Sequence, residues 1–190
     1  MPSPIVLAST SRYRRELLER LGLPFSVDAP DVDESQLPHE SPLVNCRRLA
    51  LDKARAVAAR HPTAIVIGSD QVLDLDGIAL SKPGDFAAAL DQLKRCQGRI
   101  LHCYTALCVL SPGRDPLIDV VSTEISYRTL PNKTLIAYLE RETPFDAAGA
   151  VKVETAGITL LRAVKSDDPT AIIGLPLIRL TDFLRELGAL

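Results

Sequence analysis

Several features that would place the chain in a specialised class are missing from its 190 residues. No apolar stretch approaches the roughly 18 residues that a membrane-spanning helix needs. In the opening segment MPSPIVLASTSRYRR, the basic residues follow a short apolar run, which reverses the order found in a secretory signal. We therefore expect a cytoplasmic protein that has no membrane partner.

An excess of positive charge is also lacking. The chain carries 22 lysine and arginine residues against 24 aspartate and glutamate residues, for a net charge of -2 at pH 7. Non-specific binding to DNA or RNA requires a basic face, so this balance argues against a nucleic-acid partner. It leaves room for a local basic pocket that binds one small anion.

Common cofactor and metal motifs are missing as well. The four cysteines form no C-x-x-C pair and no zinc spacing, and the three histidines are not spaced as a metal site. No Gly-Lys-Ser phosphate loop, nucleophile elbow or dinucleotide fingerprint is present. We expect the cysteines to be reduced thiols of a cytosolic protein.

Apolar residues make up 46% of the chain, enough for a sizeable core, and we predict a single domain over residues 1–190. The hydrophobic periodicity predicts an α/β fold with a mixed twisted sheet flanked by helices, in two lobes around a cleft. The predicted strands are residues 5–7, 25–27, 64–70, 72–75, 78–80, 100–110, 117–127 and 156–163. The predicted helices are residues 12–22, 42–60, 85–96, 131–140 and 177–187.

The first strand is followed by a hydroxyl-rich turn that contains Ser9, and then by the first predicted helix. Such a turn places backbone N–H groups and hydroxyls where an anion can bind.

Three basic residues stand out in this pattern. Arg14 heads the apolar stripe of the first predicted helix, and Lys53 interrupts the apolar face of the second. Lys82 precedes Pro83, which favours an extended backbone at the lysine. Each cation alone could keep its stem on apolar surface and its charge in water. Three together, near a carboxylate, favour a shared anionic ligand.

Carboxylates form the second half of a candidate site. Asp70 ends the apolar run AIVIGSD, and a carboxylate at the end of a strand often acts in catalysis. A turn or cap would explain Asp70 equally well. Glu34 belongs to an acidic loop that could simply be solvated. Glu34 and Asp70 together could hold one Mg²⁺ against a polyphosphate, so the residues indicate metal-assisted phosphate chemistry.

The chain also carries an ordered set of motifs, namely LASTSRYRRELL, PDVDES, LALDKARAVA, IGSDQV, LSKP, CYTAL, DAAGAVKVETAGITLL and IIGLPL. Their order resembles that of the Maf family of nucleotide pyrophosphatases over about residues 5–180. The resemblance implies an α/β fold similar to inosine triphosphatases, with a cleft between two lobes. It implies hydrolysis of a nucleoside triphosphate to a monophosphate and pyrophosphate with a divalent cation, Mg²⁺ or Mn²⁺.

The resemblance also implies roles for individual residues. Asp70 would accept the proton of the attacking water and would hold the metal together with Glu34. Phosphate binding would fall to Ser9, Arg14, Lys53 and Lys82.

Gln71 follows Asp70 at a position where the pyrimidine-specific branch of the family typically carries threonine. GSDQV, KVE and the aromatic residue 13 resemble the branch that prefers N7-methyl-GTP, in which Tyr13, Gln71 and Glu154 would select the base. Tyr13 departs from the tryptophan that is typical there, but it still offers a stacking face.

Two alternatives remain open at the level of the sequence. The chain could be a broader house-cleaning pyrophosphatase for other modified or pyrimidine triphosphates, a reading that Gln71 opposes. It could instead be a nucleotide-binding regulator of cell division, which the intact set of charged residues opposes. The sequence is compatible with a homodimer and does not fix the oligomeric state.

Overall fold

The computed structural model describes residues 3–190 and confirms a mixed α/β architecture. The strands are β1 (Ile5–Ala8), β2 (Phe25–Asp28), β3 (Ile65–Leu75), β4 (Ile78–Leu80), β5 (Ile100–Leu110), β6 (Leu117–Tyr127) and β7 (Leu161–Ser166). The helices are α1 (Arg12–Glu19), α2 (Pro42–Ala58), α3 (Phe86–Cys96), α4 (Asn132–Glu142) and α5 (Leu177–Glu186). No helix within residues 3–190 is both long enough and apolar enough to cross a membrane.

The strands form one sheet in the order β2-β1-β3-β5-β6-β7, with β4 beside the far end of β3. β1 is parallel to β2 and β3, whereas β3, β5, β6 and β7 pair antiparallel. β3 changes its neighbour on one side. It pairs with β1 as far as Gly68 and with β4 from Leu73 onward, so the edge of residues 69–72 is open on that side.

Two apolar cores lie on one face of β3 and β5, at opposite ends of these strands. α1 and α5 pack against Ile65 and Ile67, and α3 and α4 pack around Leu73 and Leu75. Because side chains alternate along a strand, Gln71 points to the same face, in the gap between the two cores. This arrangement forms the predicted two lobes, which share the long strands.

α2 covers the opposite face of the sheet. Ser41 caps its N-terminus by accepting a hydrogen bond from the backbone of Val44, and Pro42 occupies the first turn. Gly68 of β3 allows the close approach, because a Cβ at this position would lie 2.4 Å from the carbonyl oxygen of Ala50. This contact brings Lys53 of α2 over β3.

Two predicted strands differ from the structure. The predicted break after Asp70 is wrong, because β5 pairs with β3 continuously from Val66 to Asp74. Asp70 therefore lies within a strand, beside the open edge. The predicted strand over 156–163 begins too early, because β7 starts at Leu161. Residues 156–160 form a 3₁₀ turn instead, in which Gly157 packs so closely on Lys152 that a Cβ would meet its carbonyl oxygen at 2.4 Å.

Candidate active site

A cavity of about 750 Å³ lies in the cleft beside the open edge of β3. Residues 8–11 and Arg14, at the junction of β1 and α1, line one end together with charged side chains of α2 and β3. The other end carries most of the apolar lining, beside the charged side chains of Asp146, Lys152 and Glu154. Its lining includes Leu73, Cys103, Ile125, Tyr127, Val151, Val153 and Ile172. The cavity therefore offers a charged end and an apolar end to one ligand.

The hydroxyl-rich turn lies at the charged end, as the sequence predicts. The buried hydroxyl of Ser9 accepts a hydrogen bond from the backbone N–H of Ser11 at 3.1 Å. Ser11 in turn caps α1 by accepting from the backbone of Arg14. The N-terminus of α1 thus borders the cavity, where its backbone dipoles favour an anion.

Asp70, Lys53 and Glu34 form the charged centre of the site. The ammonium of Lys53 donates to Oδ1 of Asp70 at 2.6 Å and lies 2.6 Å from Oε1 of Glu34. Lys53 is 5% exposed and Asp70 is 6% exposed, whereas Glu34 reaches inward from an exposed loop. The structure therefore brings together three residues that lie far apart in the sequence.

The environment acts in opposite directions on the two carboxyl groups. Burial raises the pKa of Asp70, although the neighbouring Lys53 opposes the shift. The hydrogen bond from Lys53 lowers the pKa of Glu34. A raised pKa makes Asp70 the stronger proton acceptor of the pair, and Glu34 stays ionised.

The other two cations also line the charged end. Nε of Arg14 donates to the carbonyl oxygen of Gly174 at 2.9 Å, which leaves the two terminal nitrogens for a ligand. Burial lowers the pKa of Arg14, but a guanidinium keeps its charge in proteins. Lys82 is exposed and contributes to the cavity lining from the segment after β4.

The three residues assigned to base selection all line the cavity. Gln71 is half-buried and donates through Nε2 to the carbonyl oxygens of Ala171 and Ile172, each at 3.0 Å. The guanidinium of Arg12 lies 4.7 Å from the centre of the Tyr13 ring, so one face of this ring is already covered. Glu154 is exposed and forms part of the cavity lining.

Sequence reasoning missed one ion pair in the cavity wall. Asp146 and Lys152 pair at 2.7 Å, and both line the cavity. Only 18% of the Lys152 side chain is exposed. The motif DAAGAVKVE contains both residues, and a lysine between two valines is the one local signal that could have singled out Lys152. Their pairing depends on a loop whose path the sequence pattern does not show.

Comparisons with known proteins identify the family of the chain. A family model described as Maf-like protein matches residues 4–187. A 7-methyl-GTP pyrophosphatase from Bordetella avium is 51% identical over 184 residues, covering 97% of this chain and 93% of that protein. One from Burkholderia pseudomallei is 52% identical over 192 residues, covering 98% of this chain and 89% of that protein.

Among solved structures, the Ham1 protein of Staphylococcus aureus matches 66% of this chain and 72% of its own, with a TM-score of 0.46 and 16% identity. That similarity is too distant to support any conclusion about function.

Proposed function

The chain belongs to the Maf family, and from this premise we propose that it hydrolyses N7-methyl-GTP to N7-methyl-GMP and pyrophosphate. The observation that carries the proposal is the convergence of Asp70, Lys53 and Glu34 at the charged end of a cavity whose other end carries most of the apolar lining. Two relatives that are 51% and 52% identical to this chain over nearly its whole length are named 7-methyl-GTP pyrophosphatase.

Hydrolysis at the α phosphate requires an oriented water, a proton acceptor and neutralisation of the triphosphate charge. Asp70 is the proton acceptor, because it is buried and its pKa is raised. The terminal nitrogens of Arg14, the ammonium groups of Lys53 and Lys82, and the turn at Ser9 bind phosphate oxygens.

We also propose a divalent cation, Mg²⁺ or Mn²⁺, held by Glu34 and Asp70. The two carboxylate oxygens contact the same ammonium, so they lie no further apart than the sum of two hydrogen bonds. Within residues 3–190, no three His, Cys, Asp or Glu side chains form a metal site by themselves. The donor set fits Mg²⁺, which often takes one or two carboxylates plus substrate phosphates. When bound, the cation would supply charge neutralisation.

The apolar end accommodates the base. Methylation at N7 gives guanine a delocalised positive charge, which a carboxylate such as Glu154 stabilises while it accepts from the Watson–Crick edge. Cation–π stacking on Tyr13 would add about 0.5–2 kcal/mol, provided that the base uses the face opposite Arg12 or displaces that side chain.

The four cysteines are free and buried, which supports the proposal of a reducing, cytoplasmic location.

Turnover of a triphosphate panel tests the proposal. N7-methyl-GTP, GTP and UTP are supplied with Mg²⁺ or Mn²⁺, and pyrophosphate is detected directly. We expect the highest kcat/KM for N7-methyl-GTP and a stoichiometric monophosphate product. Release of phosphate with a diphosphate would contradict the reaction. Equal turnover of UTP would favour the broader pyrophosphatase, and absence of turnover would favour a regulator that only binds nucleotide.

Glu154→Gln tests the selectivity, since it keeps the size of the side chain and removes its charge. The ratio of kcat/KM for N7-methyl-GTP over GTP should fall about tenfold, or roughly 1.4 kcal/mol. Glu140→Gln, an exposed charge on α4, is the matched control and should leave the ratio unchanged. An equal loss for both substrates in Glu154→Gln would remove this residue from base selection.

A further inference from the structure

The turn over residues 171–174, between β7 and α5, contacts side chains from both ends of the cavity. Its backbone carbonyl oxygens accept hydrogen bonds from four side chains that belong to α1, β3 and β5. Two of these side chains are the residues assigned to base selection and phosphate binding, Gln71 and Arg14. The other two are buried hydroxyls that line no part of the cavity.

At the start of the turn, the hydrogen bonds fix the orientation of the Gln71 carboxamide. Thr105 donates its only hydroxyl hydrogen to the carbonyl oxygen of Ala171 at 2.8 Å. Its oxygen must therefore accept from Nε2 of Gln71, which lies 3.2 Å away. Nε2 also donates to the carbonyl oxygens of Ala171 and Ile172. Since all three partners accept, the reversed amide would set oxygen against oxygen, and Oε1 is the atom left for a ligand.

At the end of the turn, the carbonyl oxygen of Gly174 holds Arg14. It accepts from Nε of Arg14 at 2.9 Å. The hydroxyl of Ser69 shares its single hydrogen between this oxygen, 2.9 Å away, and the carbonyl oxygen of Ala106, 2.8 Å away. Gly174 has φ 122°, and a Cβ there would come within 3.4 Å of Nε of Arg14. The side chain of Arg14 is therefore anchored through Nε, with its terminal nitrogens directed by that anchor.

The turn itself is fixed by Asp168, which is 2% exposed. Oδ1 of Asp168 accepts from the backbone and the hydroxyl of Thr170, at 2.9 and 2.7 Å. Oδ2 accepts from the backbone of Ile178 at 2.7 Å, in the first turn of α5. The segments on both sides of the turn are thus hydrogen-bonded to one buried carboxylate. The backbone carbonyl groups of the turn are therefore held in fixed positions.

We propose that the 171–174 turn is a two-ended positioning element, in which Thr105 sets Gln71 for base selection and Ser69 sets Arg14 for triphosphate binding. The inference rests on the proposed function, because it requires a nucleotide in the cavity. Guanine offers ring and amino N–H donors on its Watson–Crick edge, and Oε1 of Gln71 is an acceptor for one of them. Arg14 binds phosphate whatever the base is, so the two ends act on different properties of the substrate.

The experiment compares Thr105→Val, Ser69→Ala and the control Thr123→Val, which also removes a buried hydroxyl from the same sheet. For each variant, kcat and KM are measured with N7-methyl-GTP and UTP, together with inhibition by inorganic tripolyphosphate. Thr105→Val should lower the ratio of kcat/KM for N7-methyl-GTP over UTP, whose base lacks the amino donor of guanine, about threefold to tenfold, the effect of one lost hydrogen bond. Its inhibition by tripolyphosphate should stay unchanged.

Ser69→Ala should give the reverse result. KM for both nucleotides and the inhibition constant of tripolyphosphate should rise about threefold to tenfold, with the base ratio unchanged. Thr105→Ser, which keeps the hydroxyl, should restore the base ratio. Thr123→Val should alter neither quantity, although it loses a comparable hydrogen bond.

Turnover of N7-methyl-GTP by the wild-type enzyme is measured first, and it tests the proposed function separately. Once that turnover is established, parallel changes of ratio and inhibition in Thr105→Val and Ser69→Ala would overturn the two-ended role. So would effects no larger than those of Thr123→Val, because they would reduce both hydroxyls to ordinary contributors to stability.

Discussion

At the scale of single residues, the site depends on opposite charges that are buried together. Lys53 and Asp70 are buried beside the open edge of β3, where an unpaired charge would cost free energy of folding. Each neutralises the other, and Glu34 adds a second carboxylate from the exposed loop. Removing either Lys53 or Asp70 leaves the charge of the other buried without its partner, which lowers stability as well as activity. For these two residues, the chemical role is therefore harder to separate from the structural role than for an exposed residue.

Asp70→Asn should abolish turnover while the fold is kept. The amide is similar in size and can still accept from Lys53, but it cannot take a proton from water. We expect kcat to fall on the order of 10²-fold or more, since the proposed general base and metal ligand is lost. Pyrophosphate release and the circular dichroism spectrum are the measurements. Near-normal turnover by a folded variant would assign proton transfer to another group.

Lys82→Ala and Lys53→Met should separate phosphate binding from stability. Lys82 is exposed at the rim, so its removal should raise KM for the triphosphate and leave the urea midpoint unchanged. Lys53→Met keeps the stem but leaves Asp70 unpaired, which should lower both activity and stability, the latter by about 3–5 kcal/mol. If Lys82→Ala unfolds the protein, that lysine is structural.

At the scale of elements, the site depends on how closely α2 packs against β3. Gly68 permits this approach, because a side chain there would meet the backbone of Ala50 and the Cβ of Ala54 at 2.4 and 2.8 Å. Lys53 precedes Ala54 in the same helix. The distance between helix and strand therefore sets the position of the ammonium relative to Asp70.

Gly68→Ala should lower both stability and activity. Overpacking at this contact should cost about 1–3 kcal/mol, and the displaced α2 should carry Lys53 away from Asp70. Gly113→Ala is a suitable control, because it forces an alanine to φ 71° in open space, away from the cavity. It should cost a similar amount, about 1–2 kcal/mol, with kcat/KM unchanged. Unchanged kcat/KM in Gly68→Ala would show that the helix position is not critical.

At the scale of the whole molecule, the cavity is built from segments at both ends of the shared strands. The β1–α1 turn lines the charged end, where we propose that phosphates bind, and residues 146–154 line much of the other end, where we propose that the base binds. These segments belong to regions with separate apolar cores. A ligand that contacts both should therefore stabilise the molecule as a unit.

The α,β-methylene analogue of N7-methyl-GTP, which cannot be cleaved at the scissile position, should raise the Tm in the presence of Mg²⁺. At a hundredfold excess over Kd, we expect an increase of roughly 5–10 °C. EDTA should remove most of the increase, and the corresponding UTP analogue should give a smaller one. Differential scanning calorimetry measures the shift. An undiminished shift in EDTA would contradict the proposed metal.

Much of the local structure could be predicted from the sequence. The order Ser41-Pro42 marks the start of α2, the apolar run marks β3, and the long alternating runs mark β5 and β6. These features depend on neighbouring residues, whose propensities and spacing are written directly in the chain. The charged residues Arg14, Lys53 and Asp70 stood out for the same reason, since each breaks a local apolar pattern.

Tertiary structure alone decided how these residues are used. Asp70 ends its apolar run in the sequence, yet pairing with β5 carries the strand past it, so the open edge of β3 creates the site. The orientation of Gln71 depends on carbonyl groups about a hundred residues away. Asp146 and Lys152 meet only because their loop folds back on itself. Contacts between distant residues follow from strand register and packing, which local periodicity does not contain.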